Sequence, residues 1–285
     1  MGTRRTLARE VRCAGTALHA GGRVQMTLAP GAAGAGVLFR RSDQGNASVP
    51  ARYDTVTETN LGTVIAAGDV KIAVIEHLMA AVAGAGIDDL LVTLDGPEPP
   101  ILDGDALSYL VLLQKAGTKE QAGSRKAIKV TRPVAVTLKD ASITLEPSEV
   151  PEYSYQLDYS NTKVIGRQFY ALRFTPENFA REIAPARTFG FMQELEMLNK
   201  MGLGRGASLE NTLAIDGDVV VNKELMRFPD EFVRHKILDA IGDMALAGGP
   251  LIASFAGVKS GHGTNNAVLR ALFADPANYD IIDLA

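Results

Sequence analysis

The sequence predicts an α+β protein built from two similar two-layer domains, each a mostly antiparallel sheet covered by helices on one face. Its 285 residues suit two domains at roughly 100–200 residues each. The polar segment 118–126 carries no apolar periodicity and is the best candidate linker. The same order of elements recurs on both sides of it. We therefore expect domains at residues 1–120 and 127–285, with the active site at their interface.

In the first half, strand-like segments precede a helix, a strand and a second helix. The predicted strands are 24–28, 37–39, 63–66 and, after the first helix, 90–94. An alanine-rich helix at about 75–83 is closed by Gly84 and Gly86, and a helix at about 106–115 is closed by Gly117.

The second half repeats this order. Its strand-like segments are 128–130, 134–138, 142–145, 153–157 and, after a long helix, 251–255. The long helix at about 231–246 is stopped by Gly248-Gly249-Pro250, and a final helix covers about 265–273. Segments 178–183 and 191–201 are predicted as extra helices without a counterpart in the first half.

Composition excludes several classes of protein. With 33 acidic and 29 basic residues the chain lacks the basic face that nucleic acids require, so no nucleic-acid partner is expected. The single cysteine, Cys13, cannot form an internal disulfide. No apolar run reaches the ~18–20 residues of a membrane span, and the N-terminus has no signal-peptide pattern. We expect a cytoplasmic location.

The helix at 231–246 carries the most informative polar pattern. His235, Asp239 and Asp243 are spaced four apart and share one face, while much of the remaining helix surface is apolar. A carboxylate on a largely buried helix must be paired or must bind a metal. His235 and Asp239 supply one nitrogen and one oxygen, and a catalytic zinc commonly takes three such protein ligands. The alternative is a salt-bridged surface pair.

His77 is the best candidate for the third ligand, because it starts the equivalent helix of the first half. Glu76, beside it, is placed to act as a general base. His262 lies between Gly261 and Gly263, where we expect it to stand exposed at a strand end and to act as a general acid. Asp243 could hold it in its charged form. The alternative for His262 is an ordinary turn histidine.

Long motifs throughout the chain resemble one family. They are Ile75-Glu-His-Leu-Met-Ala-Ala81, Gly86-Ile-Asp88, Pro100-Ile-Leu-Asp-Gly104, Ala186-Arg-Thr-Phe-Gly-Phe191, the run from Phe232 to Asp243, and Lys259-Ser-Gly-His262. From about Thr6 to about Asp275 the chain resembles the UDP-3-O-acyl-N-acetylglucosamine deacetylases, zinc enzymes that commit bacteria to lipid A synthesis. The resemblance implies hydrolysis of the N-acetyl group of an acylated UDP-sugar, in the cytoplasm of a Gram-negative-type cell.

The resemblance also implies a role for individual residues. The metal ligands would be His77, His235 and Asp239, with Zn²⁺ as cofactor, although Fe²⁺ suits the same ligands. The catalytic residues would be Glu76 as base, His262 as acid, Asp243 as its partner, Thr188 for the oxyanion, and Lys236. Substrate contacts would come from Leu18, His19, Leu61, Tyr159, Phe189, Phe191, Lys236 and Lys259.

Two departures from the family pattern affect the rim of the site. Ala17 replaces a glycine in Gly15-Thr-Ala-Leu-His-Ala-Gly21, and Gly62 stands where some members have a cysteine. We expect a monomer without a membrane span, and transient contact with the inner membrane stays open. Two other functions also stay open: a non-catalytic binding module, which the acidic balance disfavours, and a zinc amidohydrolase for another N-acyl substrate.

Overall fold

Both halves of the computed structural model, which describes residues 2–160 and 162–284, contain a five-stranded sheet with one strand order. The first sheet is ordered Val11–Thr16, Arg23–Pro30, Leu90–Leu94, Val37–Arg41, Ala47–Pro50. The second is ordered Val134–Leu138, Ala141–Glu146, Ser254–Val258, Glu152–Tyr159, Gly166–Arg173. In each sheet, a central strand lies antiparallel to one hairpin and parallel to the other. The predicted α+β class and the repeated pattern are confirmed.

The helices follow the repeat. They are α1 (Glu76–Gly84), α2 (Leu107–Ala116), α3 (Pro176–Asn178, continued by a π-helical turn at Phe179–Ile183), α4 (Met192–Lys200), α5 (Glu231–Met244) and α6 (His262–Ala274). Short 3-10 turns occur at Ser42–Gln44, Tyr53–Thr55, Lys223–Leu225, Ala245–Ala247 and Pro276–Asn278. Helices α1 and α5 precede the central strand of their half, and α2 and α6 follow it.

Each half also carries an insertion between its second hairpin and its first long helix. The first insertion is a three-stranded sheet of Val56–Glu58, Val64–Ala67 and Val70–Ile72. The second contains α3, α4 and a sheet of Phe189–Phe191, Leu213–Asp216 and Val219–Val220. The extra helices of the second half therefore have no helical counterpart, but the first half is interrupted at the equivalent position.

The prediction of an irregular linker at residues 118–126 is wrong. Thr118–Ser124 is a strand that pairs antiparallel with Thr3–Leu7. Its main-chain groups bond to the partner strand while most of its side chains are exposed, so the apolar alternation that predicts a strand is missing. Lys126–Val130 then pairs with Leu251–Ile252 and Tyr279–Asp283. The domain limits at 120 and 127 stay a prediction.

Two further boundaries differ from the prediction. The strand expected at 251–255 is interrupted at Ala253, and its two parts, Leu251–Ile252 and Ser254–Val258, join different sheets. Helix α6 begins at His262 and not at 265. Gly263, Thr264 and Asn265 are poor helix formers, which hid this first turn from sequence patterns. The main-chain N–H of Asn265 donates to the carbonyl of Gly261, 2.9 Å away, and so closes the turn.

Helices α1 and α5, one from each half, pack against each other and carry the candidate site between them. Almost every residue of α1 is buried, including Glu76 and His77. Gly242 of α5 lies directly against the main chain of Glu76, where a Cβ would be 2.0 Å from the carbonyl oxygen. A glycine inside a helix costs about 1 kcal/mol relative to alanine. Here it permits the two helices to approach closely.

No helix within residues 2–160 and 162–284 is long and apolar enough to cross a membrane.

Candidate active site

Helices α1 and α5 bring the three predicted metal ligands together. Nε2 of His77 is 3.5 Å from Oδ1 of Asp239, and Nε2 of His235 is 3.4 Å from the same oxygen. The two imidazole rings are 4.9 Å apart and nearly perpendicular, at 87°. All three side chains are buried, and one ligand atom from each lies within 4.8 Å of the others. The geometry suits a single ion coordinated by two nitrogens and one oxygen.

The hydrogen bonding of this cluster provides an independent test of whether a metal fits. Among the described residues, neither Oδ1 of Asp239 nor Nδ1 of His77 has a hydrogen-bond partner, although both are buried. A buried polar atom without a partner costs free energy. A cation between the three side chains would satisfy the carboxylate oxygen, so the donor set fits a divalent metal.

Hydrogen bonds from neighbouring groups orient His235 and Asp239 as candidate metal ligands. The carbonyl oxygen of Ala186 accepts a hydrogen bond from Nδ1 of His235 at 3.1 Å, which leaves a lone pair on Nε2. Burial lowers the pKa of His235 to about 3, so the imidazole is neutral near pH 7. Lys236 donates to Oδ2 of Asp239 at 2.8 Å and leaves Oδ1 directed at the histidines.

Glu76 and His262 face each other beside the cluster. Oε1 of Glu76 is 3.9 Å from Nε2 of His262, while Oε2 accepts the main-chain N–H of Thr63 at 3.0 Å. Burial raises the pKa of Glu76. His262 lies on the first turn of α6 with its side chain only 12% exposed, so the expected exposed position at a strand end is wrong.

Asp243 lies behind His262 on the side away from Glu76. Its Oδ2 is 2.8 Å from Nδ1 of His262. Burial disfavours the charged imidazolium, but the carboxylates of Asp243 and Glu76 outweigh it and raise the pKa of His262 to about 9. His262 is therefore protonated near pH 7, with Nε2–H available on the side of Glu76.

Sequence patterns missed two residues that complete this arrangement. The hydroxyl of Thr63 is 2.5 Å from Oδ1 of Asp243, and the amide of Asn265 donates to Oδ2 at 2.8 Å. Asn265 follows His262 by three residues, so a helix beginning at His262 would have suggested it. Thr63 carries no comparable local signal, because its partner is 180 positions away in the chain.

A cavity of about 540 Å³ opens onto the cluster. Its wall contains most of the predicted site residues: Leu18, Leu61, Glu76, His77, Tyr159, Thr188, Phe189, His235, Lys236, Asp239, Lys259 and His262. His19, Phe191 and Asp243 lie outside this wall. The cavity is large enough for part of a nucleotide-sized or lipid-bearing ligand.

One side of the cavity is aromatic. The ring of Tyr159 lies 6.2 Å from Phe189 and 5.7 Å from Phe191, so Phe191 supports Tyr159 from outside the wall. The ammonium of Lys236 is 5.5 Å from the ring of Phe189. Lys259 is 3.3 Å from Asp140, at the more exposed part of the cavity. The predicted substrate contacts thus combine apolar surface with two cations.

Thr188 is held in the wall by a buried ion pair on its neighbour. The guanidinium of Arg187 donates to Glu231 at 3.0 Å, and both side chains are almost fully buried. Glu231 is the first residue of α5, so the pair joins the segment of Thr188 to the helix that carries two of the candidate ligands. The N–H of Thr188 donates to the carbonyl of Gly104 at 2.8 Å.

His19 connects three segments at the rim. Its Nδ1 accepts the N–H of Gly204 at 3.2 Å, so Nε2 carries the proton and donates to the carbonyl of Leu61 at 2.9 Å. The buried carboxylate of Glu98 accepts the main-chain N–H groups of His19 and Ala20 at 2.8 and 2.9 Å. His19 therefore fixes the rim beside Leu18 and Leu61, which do line the cavity.

Residues 4–274 match the family model described as UDP-3-O-acyl N-acetylglycosamine deacetylase. The chain belongs to this family. It is 43% identical over 279 residues to UDP-3-O-acyl-N-acetylglucosamine deacetylase of Myxococcus xanthus, covering 98% of this chain and 88% of that protein. The protein of the same name from Anaeromyxobacter sp. is 41% identical over 280 residues, covering 98% and 91%. That from Aliarcobacter butzleri is 41% identical over 281 residues, covering 98% and 93%.

Of the two departures from the deacetylase family pattern, Ala17 adjoins Leu18 of the rim, whereas Gly62 lies against Glu76, so the expectation that both affect only the rim is wrong for Gly62. Ala17 is fully buried, and its carbonyl oxygen would be 2.1 Å from a Cβ placed on Gly206. Gly62 has a φ of +154°, and a Cβ there would be 3.2 Å from Oε1 of Glu76. A side chain at position 62 would therefore crowd Glu76, whereas glycine leaves that carboxylate free on this side.

Proposed function

We propose that this protein removes the N-acetyl group from UDP-3-O-(3-hydroxyacyl)-N-acetylglucosamine, producing acetate and UDP-3-O-acyl-glucosamine, the committed step of lipid A biosynthesis. Membership of the deacetylase family supports the substrate. The observation that carries the chemistry is the buried group of His77, His235 and Asp239 beside the facing pair of Glu76 and His262. The facing pair of Glu76 and His262 suits proton transfer, which a non-catalytic binding module does not perform.

The metal that we propose is Zn²⁺, held by His77, His235 and Asp239. Two imidazoles and one carboxylate are typical of catalytic zinc sites, and Fe²⁺ is compatible with the same ligands. When bound, such an ion would supply Lewis-acid chemistry, lowering the pKa of water and polarising a carbonyl oxygen. Lys236 would hold the far oxygen of Asp239 and so orient the other towards the ion.

Proton transfers in the proposed reaction belong to Glu76 and His262. Oε1 of Glu76 takes a proton from the water whose oxygen bonds to the acetamide carbon. Nε2–H of His262 then gives a proton to the sugar nitrogen as the C–N bond breaks, so the amine departs neutral. Asp243 orients His262, and the hydroxyl of Thr188 donates to the oxyanion, a contribution commonly worth several kcal/mol when the donor is preorganised.

The remaining cavity residues would bind the rest of the substrate. Lys236 and Lys259 would contact the sugar and the diphosphate, and Tyr159 would stack on uracil. Phe189 and Phe191 would line the path of the acyl chain. The rim residues Leu18, His19 and Leu61 would close over the bound ligand. We further propose a monomer that acts in the cytoplasm and meets the inner membrane only transiently.

Acetate release from matched substrates tests the proposal. The protein, loaded with one equivalent of Zn²⁺ and checked by metal analysis, is incubated with UDP-3-O-(3-hydroxymyristoyl)-N-acetylglucosamine and, in parallel, with UDP-N-acetylglucosamine. We expect acetate and a free amine from the acylated compound, and far slower release from the compound without the acyl chain. Equal rates would favour a zinc amidohydrolase of another specificity. No acetate from either, with zinc bound, would contradict the proposal.

A further inference from the structure

Asp243 has three hydrogen-bond partners, which come from two separate parts of the chain. Thr63 directly precedes the strand Val64–Ala67 of the inserted sheet, while His262 and Asn265 lie on α6. An ionised carboxylate can only accept hydrogen bonds. The Thr63 hydroxyl must therefore donate to Oδ1, and Nδ1 of His262 must carry a proton. This assignment leaves Nε2 of His262 on the side of Glu76.

Thr63 is the one of these donors that also holds Glu76. Its main-chain N–H donates to Oε2 of Glu76 at 3.0 Å, and its hydroxyl is 2.5 Å from Asp243. The residue is 1% exposed, so neither bond competes with bulk water. Thr63 lies outside the wall of the cavity and outside the group of candidate metal ligands.

We propose that Thr63 is a positioning residue, whose hydroxyl fixes Asp243 and thereby sets the orientation of His262 relative to Glu76. The main-chain N–H of Thr63 also holds Glu76. One residue therefore sets the distance between Glu76 and His262. The catalytic consequence rests on the proposed function, whereas the effect on His262 can be measured without turnover. Thr63 acts through Asp243 and does not touch substrate.

Thr63→Val tests the hydroxyl alone, since valine keeps the branched shape and the main-chain N–H. We expect kcat to fall about tenfold, because a misoriented His262 would donate its proton less effectively in the transition state. KM should stay within about twofold of the wild-type value. Thr63→Ser keeps a hydroxyl and should restore most of the lost kcat. Bound zinc should stay at one equivalent in both variants. Thr63→Ala serves as a second variant if valine prevents folding.

A spectroscopic measurement separates positioning from a general structural effect. The Nδ1–H of His262 should give a downfield proton resonance in the zinc-loaded protein, identified by its absence in His262→Gln. We expect this resonance to shift in Thr63→Val and to return in Thr63→Ser. Thr6→Val is the matched control, because Thr6 is equally buried and its hydroxyl donates to the carbonyl of Asp89 at 2.6 Å. It should lower stability while kcat and the resonance stay unchanged.

Three results would overturn the positioning role. The first is wild-type kcat and an unmoved resonance in Thr63→Val. The second is a serine variant as impaired as the valine variant. The third is loss of zinc in parallel with kcat, which would assign Thr63 to the support of the metal instead. If the wild-type protein released no acetate while the resonance still responded to Thr63→Val, the proposed function would fail and the positioning of His262 by Thr63 would stand.

Discussion

Gly242 and Glu76 are in contact through their main chains at the crossing of α5 and α1. A Cβ on Gly242 would lie 2.0 Å from the carbonyl oxygen of Glu76, closer than any two such atoms can pack. The two helices that carry His77 and His235 can therefore approach only with glycine at this position. The separation of the candidate ligands depends on this contact.

Gly242→Ala should separate the helices and weaken the metal cluster together with the fold. Overpacking of this kind typically costs about 1–3 kcal/mol. Urea unfolding should show the loss of stability, and metal analysis should show substoichiometric zinc. Gly22→Ala is the control, because no described atom lies within 4 Å of a Cβ at that position. Unchanged stability and full zinc occupancy in Gly242→Ala would show that the crossing has room to adjust.

The protonation of His262 should depend on Asp243. In the metal-free protein we expect the imidazole to titrate near pH 9 by NMR, because Asp243 and Glu76 outweigh the effect of burial. His262 is charged below this pKa, so its function as an acid is present at neutral pH and is lost as the pH rises through about 9. Asp243→Asn should lower the midpoint. Asp280→Asn, on an exposed part of the last strand, should leave it unchanged.

A midpoint in Asp243→Asn equal to that of the wild-type protein would remove Asp243 as the cause of the raised pKa of His262.

Glu76 should set the limit of activity at low pH. Its pKa is raised by burial, and it must be ionised to take a proton, so activity should fall as the pH decreases through that raised pKa. Together the two groups predict a bell-shaped dependence of kcat/KM on pH.

The buried pair of Arg187 and Glu231 should be essential for stability. Glu231→Gln leaves the Arg187 guanidinium buried without a countercharge, and breaking such a pair costs roughly 3–5 kcal/mol. Urea unfolding measures this directly. Glu196→Gln is the matched control, because Glu196 pairs with Lys200 on an exposed helix face and should change stability little. Equal effects of the two substitutions would contradict the assigned importance of burial.

The rim should respond to His19 through substrate binding and not through chemistry. His19→Ala removes the side-chain bonds to Leu61 and Gly204, so the rim should lose its fixed position. We expect KM for the acylated substrate to rise about tenfold with kcat nearly unchanged, the pattern of lost uniform binding. Arg12→Ala, at an exposed position of the strand Val11–Thr16, is the control. A fall in kcat at constant KM would place His19 in the chemical step instead.

Sequence patterns predicted the helices that are rich in apolar residues and that end near glycines. The bounds of α1, α2 and α5 agree with the prediction to within about two residues. Exposed strands were missed or misassigned, with Thr118–Ser124 the clearest case. Such strands are defined by main-chain pairing with a distant segment, which leaves no apolar alternation to detect.

The sequence by itself predicted the repeat of the two halves and the candidate ligands His235 and Asp239, because their spacing on one helix is a local property. His77 lies on another helix, and its position beside them depends on the packing of α1 against α5. Only the tertiary structure decided how Thr63 meets Asp243, how His19 joins three rim segments, and where Gly242 lets α1 and α5 approach. Each of these contacts joins residues far apart in the chain. A hydrogen bond or a close packing contact of this kind depends on the folded arrangement, and no short-range periodicity encodes it.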